Sequence, residues 1–165
     1  MGVDVAPDET RQPIVMEGLA GLRERVGTEL GVSDWIEVKQ EDIDTFAKLT
    51  GDEQYIHVDP ERAARGPFGT TVQHGFLTLG MSTGLLWSVC TVEGFEVILN
   101  YGLNKVRFPT PLKTGARFRM RVELAAVTEL TKPSPGAEAL YRLTYEVADE
   151  PKPCCVADLV FRYYS

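Results

Sequence analysis

The chain is poor in the residues that mark several common functions. Its three cysteines, Cys90, Cys154 and Cys155, are an odd number, and the only close pair is adjacent, so on a strand the two thiols point to opposite faces. A disulfide framework is not expected. There are only two histidines, His57 and His74, both far in sequence from the thiols, so no Cys/His spacing of a structural metal site is present and no metal is expected. Cations are in the minority, 17 Lys and Arg against 24 Asp and Glu for a formal net charge of -7. That sign is wrong for a phosphate-neutralising surface and argues against nucleic acid as a partner. A long apolar run is also missing. The best stretch, "FLTLGMSTGLLWSVC" from Phe76 to Cys90, is broken by Gly80, Ser82, Thr83 and Gly84 and falls short of the roughly 20 residues a bilayer span needs. It reads as a helix buried in protein, and no membrane partner is expected. The opening "MGVDVAPDETRQP" has no apolar core behind a basic start, unlike a signal peptide, so a cytoplasmic location is expected.

What is present suits one globular domain. The 165 residues are 44% hydrophobic and 25% charged, enough to bury a core. Residues 1–15, rich in Asp and Pro, read as a flexible tail, and residues 16–165 as a single domain. Residues 17–29 place Leu19, Leu22 and Val26 on one side at helical spacing, and Trp35 to Val38 reads as a short strand. "EDIDTFAKLTGD" puts Ile43, Phe46, Ala47 and Leu49 on one helical face, with Gly51 as the stop. "DPERAARGPFG" has Asp59 as N-cap and Pro60 in the first turn, predicting a short helix over 60–65. After an apolar helix over 75–90 the period changes from helical to two. Phe118, Met120, Val122 and Leu124 alternate with Arg117, Arg119, Arg121 and Glu123, and the pattern recurs over Tyr141–Val147 and Cys155–Tyr163. With a run near 96–108, these are long antiparallel strands whose apolar face the preceding helix covers, an α+β domain.

The chemistry gathers between residues 52 and 75. "GDEQYIHVDP" sets Asp52 and His57 five residues apart, just after a helix stop. On a turn the carboxylate and imidazole can converge on one water and move protons in both directions, or they are an ordinary polar loop. In "TTVQHGFLTL" the dipeptide His74-Gly75 opens the apolar helix. The Gly75 N–H has no intrahelical partner and can serve an oxygen gaining negative charge, or the pair simply starts a helix with His74 packed beneath it.

These stretches carry a resemblance. "TGDEQYIHVDPERAARGPFGTTVQHGFLTLG", with "NYGLNKVRFPTPLKTG" at 100–115, is similar to the MaoC-like dehydratases, the (R)-specific enoyl-CoA hydratase group, and most to the single-domain bacterial branch with nodulation protein N homologues. It covers about residues 32–164. The family pattern Asp-x-Asn-Pro-x-His matches at Asp52 and His57, with Gln54 for Asn and Tyr55 for Pro. The family's His-Gly matches His74 and Gly75, while Gly80 stands where some relatives carry a serine.

The resemblance implies a hotdog fold, a long antiparallel sheet wrapped around one central helix, acting as a homodimer without a cofactor. It implies reversible hydration of trans-2-enoyl thioesters to (R)-3-hydroxyacyl thioesters. Asp52 and His57 then hold the water, Gly75 N–H polarises the thioester carbonyl, and Gln54 and His74 support the site. Phe68, Phe76, Leu77 and Trp87 are candidates for an acyl wall, and Arg62, Arg65, Lys105, Arg107 and Lys113 for the anionic end of the thioester. Two other readings stay open: an acyl-CoA thioesterase and a non-catalytic acyl-thioester-binding protein.

Overall fold

The computed structural model describes residues 12–165; residues 1–11 of the expected tail lie outside that range. The order is β1 (Ile14–Glu17), α1 (Gly18–Glu24), β2 (Thr28–Val32), β3 (Ile36–Glu37), α2 (Gln40–Thr50), α3 (Tyr55–Val58), α4 (Pro60–Ala64), α5 (Gly75–Gly80), α6 (Ser82–Val89), β4 (Cys90–Glu93), β5 (Val97–Arg107), β6 (Arg117–Leu130), β7 (Gly136–Val147) and β8 (Cys155–Tyr164). Strand β1 pairs in parallel with β4, so Ile14 and Val15, ahead of the expected domain start at residue 16, already belong to the folded body.

The main sheet runs β2-β6-β7-β8-β5 with β3 also on β6, all of it antiparallel. The period-two reading explains it. Phe118, Met120, Val122 and Leu124 of β6, Tyr141, Leu143 and Tyr145 of β7, and Cys155, Ala157, Leu159, Phe161 and Tyr163 of β8 are all buried. They close on Leu79 of α5 and on Leu85, Leu86 and Val89 of α6. Each large apolar side chain so buried is worth about 1.5–3 kcal/mol. This is the hotdog arrangement, with α5 and α6 as the enclosed element. All three thiols are free and buried.

Several local expectations are corrected. The helix over 17–29 stops at Glu24, because the chain turns through a left-handed Gly27, whose N–H bonds Leu124 O at 2.7 Å, to reach β6 as β2. Val26 is left exposed. The helix over 75–90 is interrupted at Met81, where one N–H is shared between Leu77 O and Thr78 O, both at 3.3 Å. Leu49 is 80% exposed, on the outer side of α2. Gly51 does cap α2 in the left-handed region, and Asp59 Oδ1 accepts the Arg62 N–H at 3.0 Å to start α4.

Strand β5 differs from its neighbours. It is an edge of the sheet, and Val97, Ile98, Leu99, Tyr101 and Leu103 are all 41–56% exposed.

Candidate active site

Three stretches meet at the start of the central helix. Val72 and Lys113 form an isolated bridge, flanked by Gln73 N–H to Leu112 O at 2.7 Å and Thr114 N–H to Thr71 O at 3.0 Å. The Val72 N–H donates to Ile56 O at 2.9 Å, which brings α3 alongside. The loop leaving α2, the single turn α3 and the entry to α5 are thereby held together, and Asp52, His57 and His74 with them.

His57 is buried, with Nδ1 2.6 Å from Val72 O. A carbonyl only accepts, so Nδ1 carries a proton and donates it there, which leaves Nε2 as the ring nitrogen free to face a reacting group. Its backbone is clamped too: Gln40 of α2 donates through Nε2 to His57 O at 2.7 Å and to Asp44 Oδ1 at 2.8 Å, while Gln40 Oε1 accepts from Thr71 Oγ1 at 2.6 Å. Thr71 Oγ1 also meets Thr114 Oγ1 at 2.8 Å. Gln40 and Thr71 are residues that sequence reading missed; 17 and 14 positions from His57, they carry no motif signal.

His74, the N-cap of α5, is buried with its ring stacked on His57, centroids 3.8 Å apart and planes 23° from parallel. Its Nε2 lies 2.9 Å from Asp52 O and 4.0 Å from Asp52 Oδ2. The Asp52 side chain is 58% exposed. One ligand-type atom from each of Asp52, His57 and His74 lies within 4.8 Å of the other two. A single water, about 2.8 Å from each partner, spans such a gap. A metal is less well served, because near-parallel imidazoles aim their lone pairs side by side instead of at one point.

A cavity of about 320 Å³ opens beside this cluster, its wall including His57, Gly75, Phe68, Phe108, Gln73 and Cys154. The Gly75 N–H has no bond to any described residue. A Cβ at Gly75 would stand 3.0 Å from the Phe108 ring, so a larger residue fits there only if that ring gives way. Burial pushes the Cys154 thiol up to about 12, and it donates to Tyr145 O at 3.7 Å. It is a neutral thiol, not a nucleophile, at pH 7.

The remaining candidates divide. Phe68 lines the cavity. Phe76 is 72% exposed and meets Phe108 edge-on at 6.1 Å, away from any enclosed wall. Leu77 is half-buried and lines a separate groove with Val38, Phe46 and Leu49, and Trp87 lines another at the far end of α6 with Ile98 and Tyr163. Gln54 is exposed and contributes through its carbonyl, which accepts the His57 N–H at 2.9 Å. Lys105 lies on the outer face of the sheet, in a groove with Arg142 and Asp158, not at the site. Arg107 is exposed and turns its guanidinium onto Val106 O, and Arg62 covers the Tyr55 ring at 4.0 Å.

Residues 22–143 match the model of the MaoC like domain. The chain is 46% identical over 149 residues to 3-hydroxyacyl-thioester dehydratase Z of Mycobacterium tuberculosis, covering 90% of this chain and 97% of the relative. It is 43% identical over 147 residues to nodulation protein N of Rhizobium leguminosarum bv. viciae, covering 86% and 88%. Among solved structures, unliganded R-hydratase PhaJ1 from Pseudomonas aeruginosa superposes with a TM-score of 0.63 at 20% identity, over 85% of this chain and 82% of that one.

Proposed function

The chain belongs to the family of MaoC-like domains, and from that membership we infer that it is a hydro-lyase interconverting trans-2-enoyl thioesters and (R)-3-hydroxyacyl thioesters. The observation that carries the residue assignment is the convergence of the Asp52 carboxylate and the His57 imidazole within 4.8 Å beside a cavity wall that includes Gly75.

In hydration, the Asp52–His57 pair holds a water. As the water oxygen bonds to C3, the pair takes one proton from that water and passes one on to C2, so that it ends the step in the protonation state in which it began. The pair is treated as one coupled unit. The charge that builds on the thioester oxygen is met by the Gly75 N–H, a donor already fixed and without a competing partner among the described residues. These groups supply both proton transfers and the polarisation, so the proposed reaction uses no cofactor.

The acyl chain has room along the central helices. A cavity of about 470 Å³ is lined by Ile36, Gly80, Met81, Gly84 and Leu85, and a Cβ on Gly80 or Gly84 would meet nothing within 4 Å. Gln73 Nε2 lies 3.9 Å from Met81 Sδ, so the two cavities share a wall there. Phe68 flanks the reacting end, and Arg107 stands next to Phe108 for the anionic end.

The exposed apolar edge β5 is the surface we assign to a second copy, pairing edge to edge in a homodimer, since such an edge left open is a site of unwanted pairing. Within the described residues no helix is long and apolar enough to cross a membrane, and the proposed site of action is the cytoplasm.

The test follows absorbance of the conjugated enoyl-CoA and release of free thiol in parallel, with crotonyl-CoA and a longer trans-2-enoyl-CoA. Loss of absorbance without thiol release supports the hydro-lyase; thiol release without hydration makes the protein a thioesterase; tight binding without turnover makes it an acyl-binding protein.

A further inference from the structure

Asp52 lies on the loop between α2 and α3, and its carboxylate accepts no hydrogen bond from a described residue. Its backbone has one anchor, the His74 Nε2–H donating to Asp52 O at 2.9 Å. His57 is fixed at one ring edge by Val72 O and on one ring face by the same His74, at 3.8 Å. A single buried side chain thus touches both members of the pair. His74 is itself held as the N-cap of α5 and against the Phe46 ring at 5.0 Å and 53°.

Since Asp52 O only accepts, His74 is the Nε2–H tautomer, and its Nδ1 is a bare acceptor. That atom is buried and has no partner among the described residues, an arrangement that costs stability in a residue serving only the core. A Phe would fill the same space without that cost, so the imidazole is retained for something a Phe lacks. What it offers is a donor on its edge together with a flat face.

We propose that His74 is the positioning residue of the pair, setting the Asp52 carboxylate by its hold on the backbone and the His57 ring by stacking, without itself exchanging a proton with substrate. The proposal rests on the reading of Asp52 and His57 as acid and base. Misplacing a reacting group by about 1 Å costs on the order of 10²-fold in rate, which sets the scale of the effect.

Two variants separate the contacts. His74→Phe keeps the face and loses the donor; His74→Gln keeps a donor and loses the face. Each is expected to lose about 10- to 100-fold in kcat on an enoyl-CoA with KM within about 3-fold of wild type, in protein that melts cooperatively. A residue that only fills the core would move the melting temperature and leave kcat of the folded fraction unchanged. Wild-type kcat in either folded variant overturns the proposal, and if one fails to fold the other decides. If wild-type protein hydrates and Asp52→Asn does not, while both His74 variants keep full kcat, only this inference falls. If wild-type protein does not hydrate at all, the underlying reading falls with it.

Discussion

Two charged regions of this molecule are built on opposite plans. On the outer face of the sheet, Arg121 donates to both oxygens of Glu29 at 2.7 and 2.8 Å and to Glu146 at 2.8 Å, and Arg119 meets Glu146 from the other side at 2.8 Å. Arg142 pairs with Glu123, and Arg162 with Glu138. There the carboxylates and guanidiniums answer one another. At the entry to α5 the polar groups are held on one side only: His57 by Nδ1, Asp52 by its carbonyl, Gly75 by neither end of its N–H. Saturated charges make a surface, whereas charges held at one atom and bare at the next leave capacity for a reacting molecule.

The contrast is most sharply broken at the bare atoms. His57→Gln is expected to lower turnover of an enoyl thioester by about 10² to 10⁴ while the melting temperature moves little, read by steady-state kinetics and a thermal melt. Next in size is Gly75→Ala, which forces the Phe108 ring away from a new Cβ. Phe108 is 41% exposed and can give way, so a loss of about 1 kcal/mol in stability is expected, with kcat lowered, checked by denaturant unfolding and kinetics on the same preparation. Leu99→Lys on β5 tests a surface that is neither saturated nor catalytic; if β5 pairs two copies as proposed, light scattering should show the variant shifted towards monomer.

The saturated face should be nearly silent in catalysis. Arg121→Gln is expected to cost about 1 kcal/mol or less, with kcat unchanged. The smallest effect is an acid dependence. Burial alone would raise the Glu146 carboxyl, but the hydrogen bonds from Arg121 and Arg119 outweigh it and hold the group below the usual carboxylate range. Its contribution is therefore complete above about pH 4.3, the ordinary glutamate value, and is lost as pH falls through the lower folded value. The stability gap between wild type and Glu146→Gln should be constant near neutrality and close in acid, as followed by urea melts at several pH values.

How legible each part was depends on how far its cause extends along the chain. Strands β6, β7 and β8 alternate buried with more exposed side chains over most of their length, so alternation gives them away, and with them the arginines on the outer face. Strand β5 shows no alternation because its side chains are exposed on both faces. Strand β1 is four residues long, and its partner β4 lies beyond the central helix; nothing local signals that pairing. At the site, Asp52, His57, His74 and Gly75 were marked by motif. The four-residue helix bearing His57 is too short for a period, and its clamp by Gln40 and Val72 exists only in three dimensions. Phe76 and Lys105 show the same limit in reverse: nearness in sequence to the motifs did not place Lys105 beside the cluster or bury Phe76 in the cavity wall.

The most direct test of the account is a double-mutant cycle on Asp52 and His57. Rates of trans-2-enoyl-CoA hydration are measured for wild type, Asp52→Asn, His57→Gln and the double variant, with the configuration of the product assigned. The account predicts an (R)-3-hydroxyacyl product from wild type, a large loss in each single variant, and a double variant hardly slower than the worse single one, because the two groups act on one water as a unit. Normal rates in either single variant, or losses that simply multiply in the double, would contradict it.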